Sequence, residues 1–185
     1  MKLNKLTGFW AASFAGALSV VAILPANAQD AARPSTLPGG ATSLTETFDD
    51  WQVLCGSQNG KSVCNISQTQ SQQNTGQRVL DIRLNPIAAE GQVRGVLTLP
   101  FGLAFAQGVI PQVDEGAPAA ALAFTTCLPA GCIVPVAIDK ETLTAMRGGK
   151  VWALKTVSVQ NQATPFSISL KGFGKAFDRA VSLSK

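Results

Sequence analysis

The residues of this chain with the clearest chemical potential are its four cysteines, because the chain contains no histidine. Cys55 and Cys64 flank an Asn-Gly dipeptide, a strong hairpin signal that would bring the two thiols face to face. Cys127 and Cys132 enclose Leu-Pro-Ala-Gly, which is a turn sequence. Four cysteines allow three connectivities, and the two local pairs, 55–64 and 127–132, are the expected ones.

The alternative for the same four thiols is a zinc site. Four intervening residues suit one arm of such a site, whereas eight residues between Cys55 and Cys64 are too many for the other. An N-terminal export signal also opposes reduced thiols, and the sequence contains no Cys-x-x-Cys redox motif. We therefore expect structural disulfides, with no metal site and no cofactor.

Enzymatic chemistry has few candidate residues in this sequence. Without histidine, Ser-His-Asp and Cys-His catalysis are excluded. The acidic pairs 49–50 and 114–115 remain, but adjacent residues on a strand point to opposite faces, which does not suit an acid and a base acting on one bond. Both pairs adjoin turn signals, and no serine and lysine form a recognisable motif. No catalytic residue is predicted.

The N-terminus has the pattern of a secretory signal peptide. Lys2 and Lys5 precede an apolar run over residues 8–24, and residues 26–28 form an Ala-x-Ala cleavage site. This predicts a signal peptide over residues 1–28 and export to the periplasm, to the outer membrane or out of the cell. No second apolar run reaches the length of a membrane span, so the mature protein is expected to lack a transmembrane segment.

The rest of the chain divides into a linker and one domain. Residues 29–44 are rich in Ala, Pro, Ser and Thr without apolar periodicity, which predicts a flexible linker. Residues 45–185 are enough for a single domain with its own core.

Alternating apolar and polar residues dominate this domain, as in Leu80, Ile82 and Leu84. About nine short strands separated by Gly, Pro and Asn predict an all-β sandwich or barrel. The clearest strands are 51–55, 80–84, 93–99, 105–113, 121–128, 133–138, 151–159 and 166–170.

Two short helices are expected within the β domain. Asp139 is a suitable N-cap for the first, and Gly148 would supply a left-handed residue at its end. The second is predicted over about 175–181, with Phe177 and Val181 buried.

Charge is distributed unevenly along the chain. Residues 29–138 carry five basic and eight acidic side chains, whereas residues 139–185 carry eight basic and three acidic ones. The small overall excess of basic side chains does not indicate nucleic-acid binding. The basic segment 139–185 nevertheless suits peripheral contact with an anionic surface. Lys171, Lys175 and Arg179 would share one face of a helix continuing from Lys171. The candidate binding residues are Arg78, Arg83, Arg94, Lys171, Lys175 and Arg179.

The segment Leu99-Pro-Phe-Gly-Leu103, followed by Phe105, is apolar and turn-like. Such a segment either lines a groove or packs into the core at a corner of the sheet.

Several motifs follow one another in a recognisable order. They are Trp51-Gln-Val-Leu-Cys55, Cys64, Leu97-Thr-Leu-Pro-Phe-Gly-Leu103, Phe124-Thr-Thr-Cys127-Leu-Pro-Ala-Gly-Cys132 and Ser169-Leu-Lys-Gly-Phe173. In this order they resemble the invasion-associated locus B family of exported bacterial proteins. The resemblance covers about residues 45–183, and its most specific parts are the P-F-G-L segment and the second cysteine pair.

The resemblance implies an immunoglobulin-like β-sandwich with two local disulfides in the envelope of Gram-negative bacteria. The founding member of the family is linked to entry into host red cells, and the family offers no catalytic motif to carry onto these positions. The expected function is non-enzymatic binding to an envelope or host-surface partner. The alternatives are an envelope-glycan hydrolase that uses carboxylates and a structural or stress-protective envelope protein.

Overall fold

The structure is a computed structural model that describes residues 37–86 and 93–184. Short runs of alternating apolar residues form strands, and two stretches with helical spacing form helices. In chain order the described elements are β1 (Ser43–Phe48), β2 (Trp51–Gln58), β3 (Lys61–Ser71), β4 (Arg78–Asn85), β5 (Val93–Leu99), β6 (Ile110–Val113), β7 (Thr126–Leu128), β8 (Gly131–Ile138), α1 (Lys140–Gly148), β9 (Val151–Lys155), β10 (Phe166–Ser169) and α2 (Phe173–Leu183).

The strands form two antiparallel sheets. The large sheet has the order β1-β2-β3-β4-β5-β8-β7, and the small sheet has the order β10-β9-β6. Buried residues from both sheets and from α2 contribute to one hydrophobic core. The predicted all-β sandwich with two short helices is therefore confirmed.

Alternation along each strand determines which residues enter this core. On β2, Trp51, Val53 and Cys55 are buried, whereas the residues between them are exposed. The ring of Trp51 meets that of Phe173 edge to face, with centroids 5.1 Å apart, so α2 packs against β2 through this pair.

The start of α2 depends on Gly172. This residue is in the left-handed conformation with φ of 83°, and a Cβ there would collide with the carbonyl oxygen of Phe48. Only glycine allows the chain to pass this close to the end of β1 before the helix begins.

Both predicted helices are present, with differences at their ends. Asp139 is the N-cap of α1, and its carboxylate accepts a hydrogen bond from the Thr142 backbone N–H. The left-handed end predicted at Gly148 is wrong, because that residue is helical and Gly149 after it has φ of −82°. Helix α2 is longer than predicted, and Val181 is 41% exposed, because it lies on the face of the helix turned from the core.

Three of the predicted strands are shorter by several residues in the structure. A 3₁₀ turn occupies residues 105–107, and Gly108 directly after it has positive φ. Strand β6 therefore begins only at Ile110. Strand β7 covers only the last three residues of the predicted 121–128, and β9 ends at Lys155 rather than at residue 159.

Ordered structure begins before the predicted domain boundary at residue 45. Leu37 is only 3% exposed and belongs to the core, and β1 starts at Ser43. Leu37, Ser43 and Leu44, which the sequence places in the predicted linker, therefore take part in the described fold. The predicted signal peptide and residues 29–36 lie outside the described residues. Within residues 37–86 and 93–184, neither helix has the length and apolar character needed to cross a bilayer.

Candidate binding surfaces

The four cysteines form the two predicted disulfides. Cys55 and Cys64 are direct cross-strand partners on β2 and β3, and Cys127 and Cys132 are direct partners on β7 and β8. Both hairpins bring the Cα atoms to about the same separation, 4.1 Å and 3.9 Å. Pairing consumes all four thiols, so none is left for the zinc alternative.

The acidic residues of the first carboxylate pair have partners within the fold. The carboxylate of Asp49 lies 3.4 Å from Lys171 Nζ, and that of Asp50 accepts a hydrogen bond of 2.6 Å from the Ser169 hydroxyl. Asp49 itself occupies a turn position with φ of 52°. These contacts connect the turn between β1 and β2 to the segment leading into α2.

The second carboxylate pair has a similar role at another turn. Asp114 accepts hydrogen bonds from the backbone N–H groups of Lys150 and Val151, at 3.1 Å and 2.9 Å, so it connects its own turn to the start of β9. Glu115 beside it is exposed. Among the described residues, no group of three His, Cys, Asp or Glu side chains is arranged to hold a metal ion.

Two of the six predicted binding residues form ion pairs near α2. The guanidinium of Arg179 donates two hydrogen bonds of 2.7 Å to Glu46 on β1, and the hydrogen bond from Arg179 lowers the pKa of Glu46. Lys171 precedes the helix and pairs with Asp49, so the shared helical face predicted for Lys171, Lys175 and Arg179 is not formed. Lys175 is exposed on α2.

The three arginines on the strands are also engaged within the protein. Arg83 Nε lies 3.3 Å from the carboxylate of Asp81, and Arg78 donates a hydrogen bond of 2.9 Å to the backbone oxygen of Ala130. Arg94 is exposed on β5 and likewise has an interaction partner. The predicted basic residues therefore lie at separate places, and most of them interact with other parts of the fold.

A different surface emerges at one end of the sandwich, which we call the apolar end and define by Phe101, Phe105, Phe124 and Val159. Phe101, Phe105 and Val159 are 61%, 43% and 65% exposed. The rings of Phe105 and Phe124 stack with centroids 4.5 Å apart.

Backbone contacts bring the segments of the apolar end together. The N–H of Val159 donates to the carbonyl of Gly102 at 2.8 Å, and the N–H of Ala104 donates to the carbonyl of Val157 at 2.8 Å. Leu103 between them is only 4% exposed, so it anchors the loop in the core. The P-F-G-L segment therefore both packs into the core and presents a phenylalanine to solvent.

The apolar end is also built from segments without charge. Residues 95–113, 116–138 and 156–170 contain no Lys, Arg, Asp or Glu. The turn-like apolar pattern in the sequence indicates the P-F-G-L segment but not Phe124 and Val159. The absence of charge from the stretches that contain these two residues is a sequence feature that indicates them as well.

Two antiparallel sheets around one core, two cross-strand disulfides and an uncharged apolar end define a small disulfide-linked β-sandwich protein. Residues 51–181 match the family model described as Invasion associated locus B (IalB) protein, and the chain belongs to this family. The resemblance seen in the sequence is thereby confirmed.

Two relatives of this chain are similar to it in length. An invasion protein B homolog from Brucella abortus is 44% identical over 152 residues, covering 82% of this chain and 87% of the relative. Invasion protein B from Bartonella bacilliformis is 38% identical over 160 residues, covering 84% and 85%. The crystal structure of invasion associated protein B from Bartonella henselae is 36% identical, with a TM-score of 0.69 over 76% of this chain and 97% of that one.

Proposed function

We propose that this protein is an exported, non-enzymatic binding protein of the bacterial envelope that contacts its partner through the apolar end. It acts in the periplasm, at the outer membrane or outside the cell. The partner is an envelope component or, as the names of the relatives suggest, a host surface. The observation that carries this proposal is the exposure of Phe101, Phe105 and Val159 on adjoining loops.

Exposed apolar side chains on segments that hydrogen-bond to one another favour a contact surface. Apolar area in water is unfavourable by roughly 25 cal/mol per Å², so covering these side chains would contribute to binding. The centres of protein interfaces are enriched in aromatic residues and depleted of charge, and the apolar end has both properties.

The predicted basic residues have a smaller part in this proposal. Arg179, Lys171 and Arg83 each form an ion pair within the protein, which offsets their charge toward an outside partner. Lys175 and Arg94 are exposed, and their positive charges can add long-range attraction to an anionic surface.

A non-enzymatic role is supported by the use of the acidic residues within the fold. Asp49, Asp50 and Asp114 each interact with a neighbouring segment, and these contacts account for their positions at turns. The glycan-hydrolase alternative requires two carboxyl groups facing one cleft. Asp49 and Asp50 line one small cavity, but their carboxylates are engaged by Lys171 and by the Ser169 hydroxyl, which favours a structural role for this pair.

The test is retention of the labelled, exported protein on intact bacterial cells and on host cells at low and high salt. Replacing Phe101 and Val159 with serine should reduce retention about tenfold, because two exposed apolar contacts are lost. The matched control replaces Leu54 and Val181, which are 39% and 41% exposed elsewhere, with serine. The proposal would be contradicted if high salt and Lys175→Glu both reduced retention while the Phe101/Val159 double variant was retained like the wild type.

A further inference from the structure

A groove lies beside the second half of β8, and we call it the β8 groove. It has two adjoining parts of about 270 Å³ and 190 Å³. Trp152, only 2% exposed, contributes to both parts. The loop at residues 116–122 and the first turns of α1 form its sides. Both parts are lined by Pro111, Ala119, Thr142 and Trp152.

One side of this groove is an open strand edge. Strand β7 pairs with β8 only as far as Ile133, whose carbonyl accepts a hydrogen bond of 2.9 Å from the Thr125 N–H. Alternate residues of a strand direct their backbone groups to the same edge, so Pro135 and Ala137 direct theirs to this side beyond the end of β7. Within the described part of the chain, no strand pairs with β8 there.

The open edge offers a defined set of hydrogen-bonding groups. Proline has no N–H, so Pro135 contributes only its carbonyl, which is the usual arrangement for proline on an edge strand. Ala137, which lines the groove, contributes both an N–H and a carbonyl. Residues 135–138 extend over about 10 Å, the length of three to four residues of an added strand.

The ionisable side chains that line the groove are both acidic. Glu141 lines the larger part and Asp139 the smaller part, and the other lining residues are neutral. Hydrogen bonds from Thr142 lower the pKa of Asp139, so its carboxylate stays charged at neutral pH. Small side chains at Ala117, Ala119 and Ala145 leave space beside them.

We propose that the β8 groove binds a short extended peptide segment that carries a lysine or arginine side chain. The peptide backbone pairs with Ala137 at the open edge, and the basic side chain lies near Glu141 and Asp139. Main-chain pairing at a sheet edge provides affinity in such complexes, and charge complementarity selects the basic residue. A simple amine satisfies the carboxylates but not the strand edge, which is why a peptide is the better occupant.

The test uses the exported protein and a peptide that carries fluorescein at its N-terminus, fluorescein-Ala-Val-Lys-Val-Ala-amide, and binding is followed by fluorescence anisotropy. The peptide with glutamine in place of lysine should bind about fivefold more weakly. A version N-methylated at the central amide should bind about tenfold more weakly, because a main-chain hydrogen bond is lost. Butylamine at the same concentration should not displace the peptide, and its displacement of the peptide would overturn the proposal.

Variants of the groove locate the site. Asp139→Asn keeps the helix cap, since asparagine caps as well as aspartate. Combined with Glu141→Gln, it should remove the preference for lysine. Glu115→Gln is the matched control and should change nothing. Ala119→Phe fills the groove and should abolish binding, with circular dichroism and thermal unfolding confirming that the fold is intact.

Two further outcomes also reject the proposal. One is equal binding of the lysine and glutamine peptides, and the other is undiminished binding by the folded Ala119→Phe variant. Phe101→Ser, at the apolar end, should bind the peptide like the wild type. The β8 groove and the apolar end are therefore tested independently of each other.

Discussion

Arg179 on α2 donates two hydrogen bonds of 2.7 Å to the carboxylate of Glu46 on β1. The pair connects the C-terminal helix to an edge strand of the large sheet, which lies more than a hundred residues earlier in the chain. A second pair, Arg147 with Asp178, connects α1 to α2, and the Arg147 guanidinium also lies 4.8 Å from the centre of the Phe177 ring. Charged groups around α2 thus help to fix the helix on the sandwich.

The pair between Arg179 and Glu46 predicts a specific dependence of stability on pH. The pKa of Glu46 in the folded protein lies below its ordinary value of 4.5, so folding favours the ionised carboxylate. Its contribution is present above the ordinary value and is lost as the pH falls through the lower folded-state value. Glu46→Gln should therefore lower the urea midpoint at pH 7, and its difference from the wild type should shrink below about pH 4.5.

The control for that experiment is Glu115→Gln at an exposed turn. This change should leave the urea midpoint at pH 7 within error of the wild type. A Glu46→Gln midpoint that equals the wild type at pH 7, or a difference that widens in acid, would contradict the prediction.

Gly172 and Gly174 provide a matched test of the approach to α2. Gly172→Ala places a Cβ against the Phe48 carbonyl at a residue with φ of 83°, so unfolding should become easier by about 2–4 kcal/mol. Gly174→Ala has nothing within 4 Å of the new Cβ and adds a better helix former, so it should stabilise by up to about 1 kcal/mol. Urea unfolding of both variants measures the contrast, and equal effects would contradict it.

Local patterns account for the parts of the fold that the sequence predicted correctly. Alternation over residues 51–55 identified the buried face of β2, and the turn residues inside each cysteine pair identified both disulfides. Asp139 was recognised as an N-cap because capping depends on residues only three positions apart. Strand alternation, turns and helix caps depend on residues close together in the chain, so they can be predicted without knowledge of the tertiary structure.

Contacts between distant segments account for what the sequence did not predict. The partners of Lys171 and Arg179 lie on and just after β1, so these residues appeared as free surface charges in the sequence. The sequence pattern predicts a strand at Val159, because apolar residues in a core and on a protruding loop follow the same pattern. Beyond Lys155 the chain turns instead, and Val157 pairs with Ala163.

The two disulfides should differ in their contribution to stability. Their cysteines are 9 and 5 residues apart, for which chain entropy predicts about 2.6 and about 2.1 kcal/mol. Both cysteines of the first pair are buried, whereas in the second pair Cys132 is buried and Cys127 is exposed, so replacing the first pair with alanine leaves the larger cavity. In urea unfolding, replacing Cys55 and Cys64 should lower the free energy of unfolding more than replacing Cys127 and Cys132. The reverse order would contradict this prediction.

The final prediction separates packing from binding within the P-F-G-L segment. Leu103 is 4% exposed and Phe101 is 61% exposed, although they are two residues apart. Leu103→Ala should lower the free energy of unfolding by about 2–4 kcal/mol, because it removes buried methyl groups. Phe101→Ala should change it by no more than about 0.5 kcal/mol, because little of the ring is buried.

Retention on cells should show the opposite order. Phe101→Ala should weaken retention several-fold, because the exposed ring belongs to the proposed contact surface. Leu103→Ala, measured at a temperature where it remains folded, should be retained like the wild type. If Phe101→Ala instead destabilises the fold as much as Leu103→Ala, the phenylalanine has a structural role. The apolar end would then lose its main support as a binding surface.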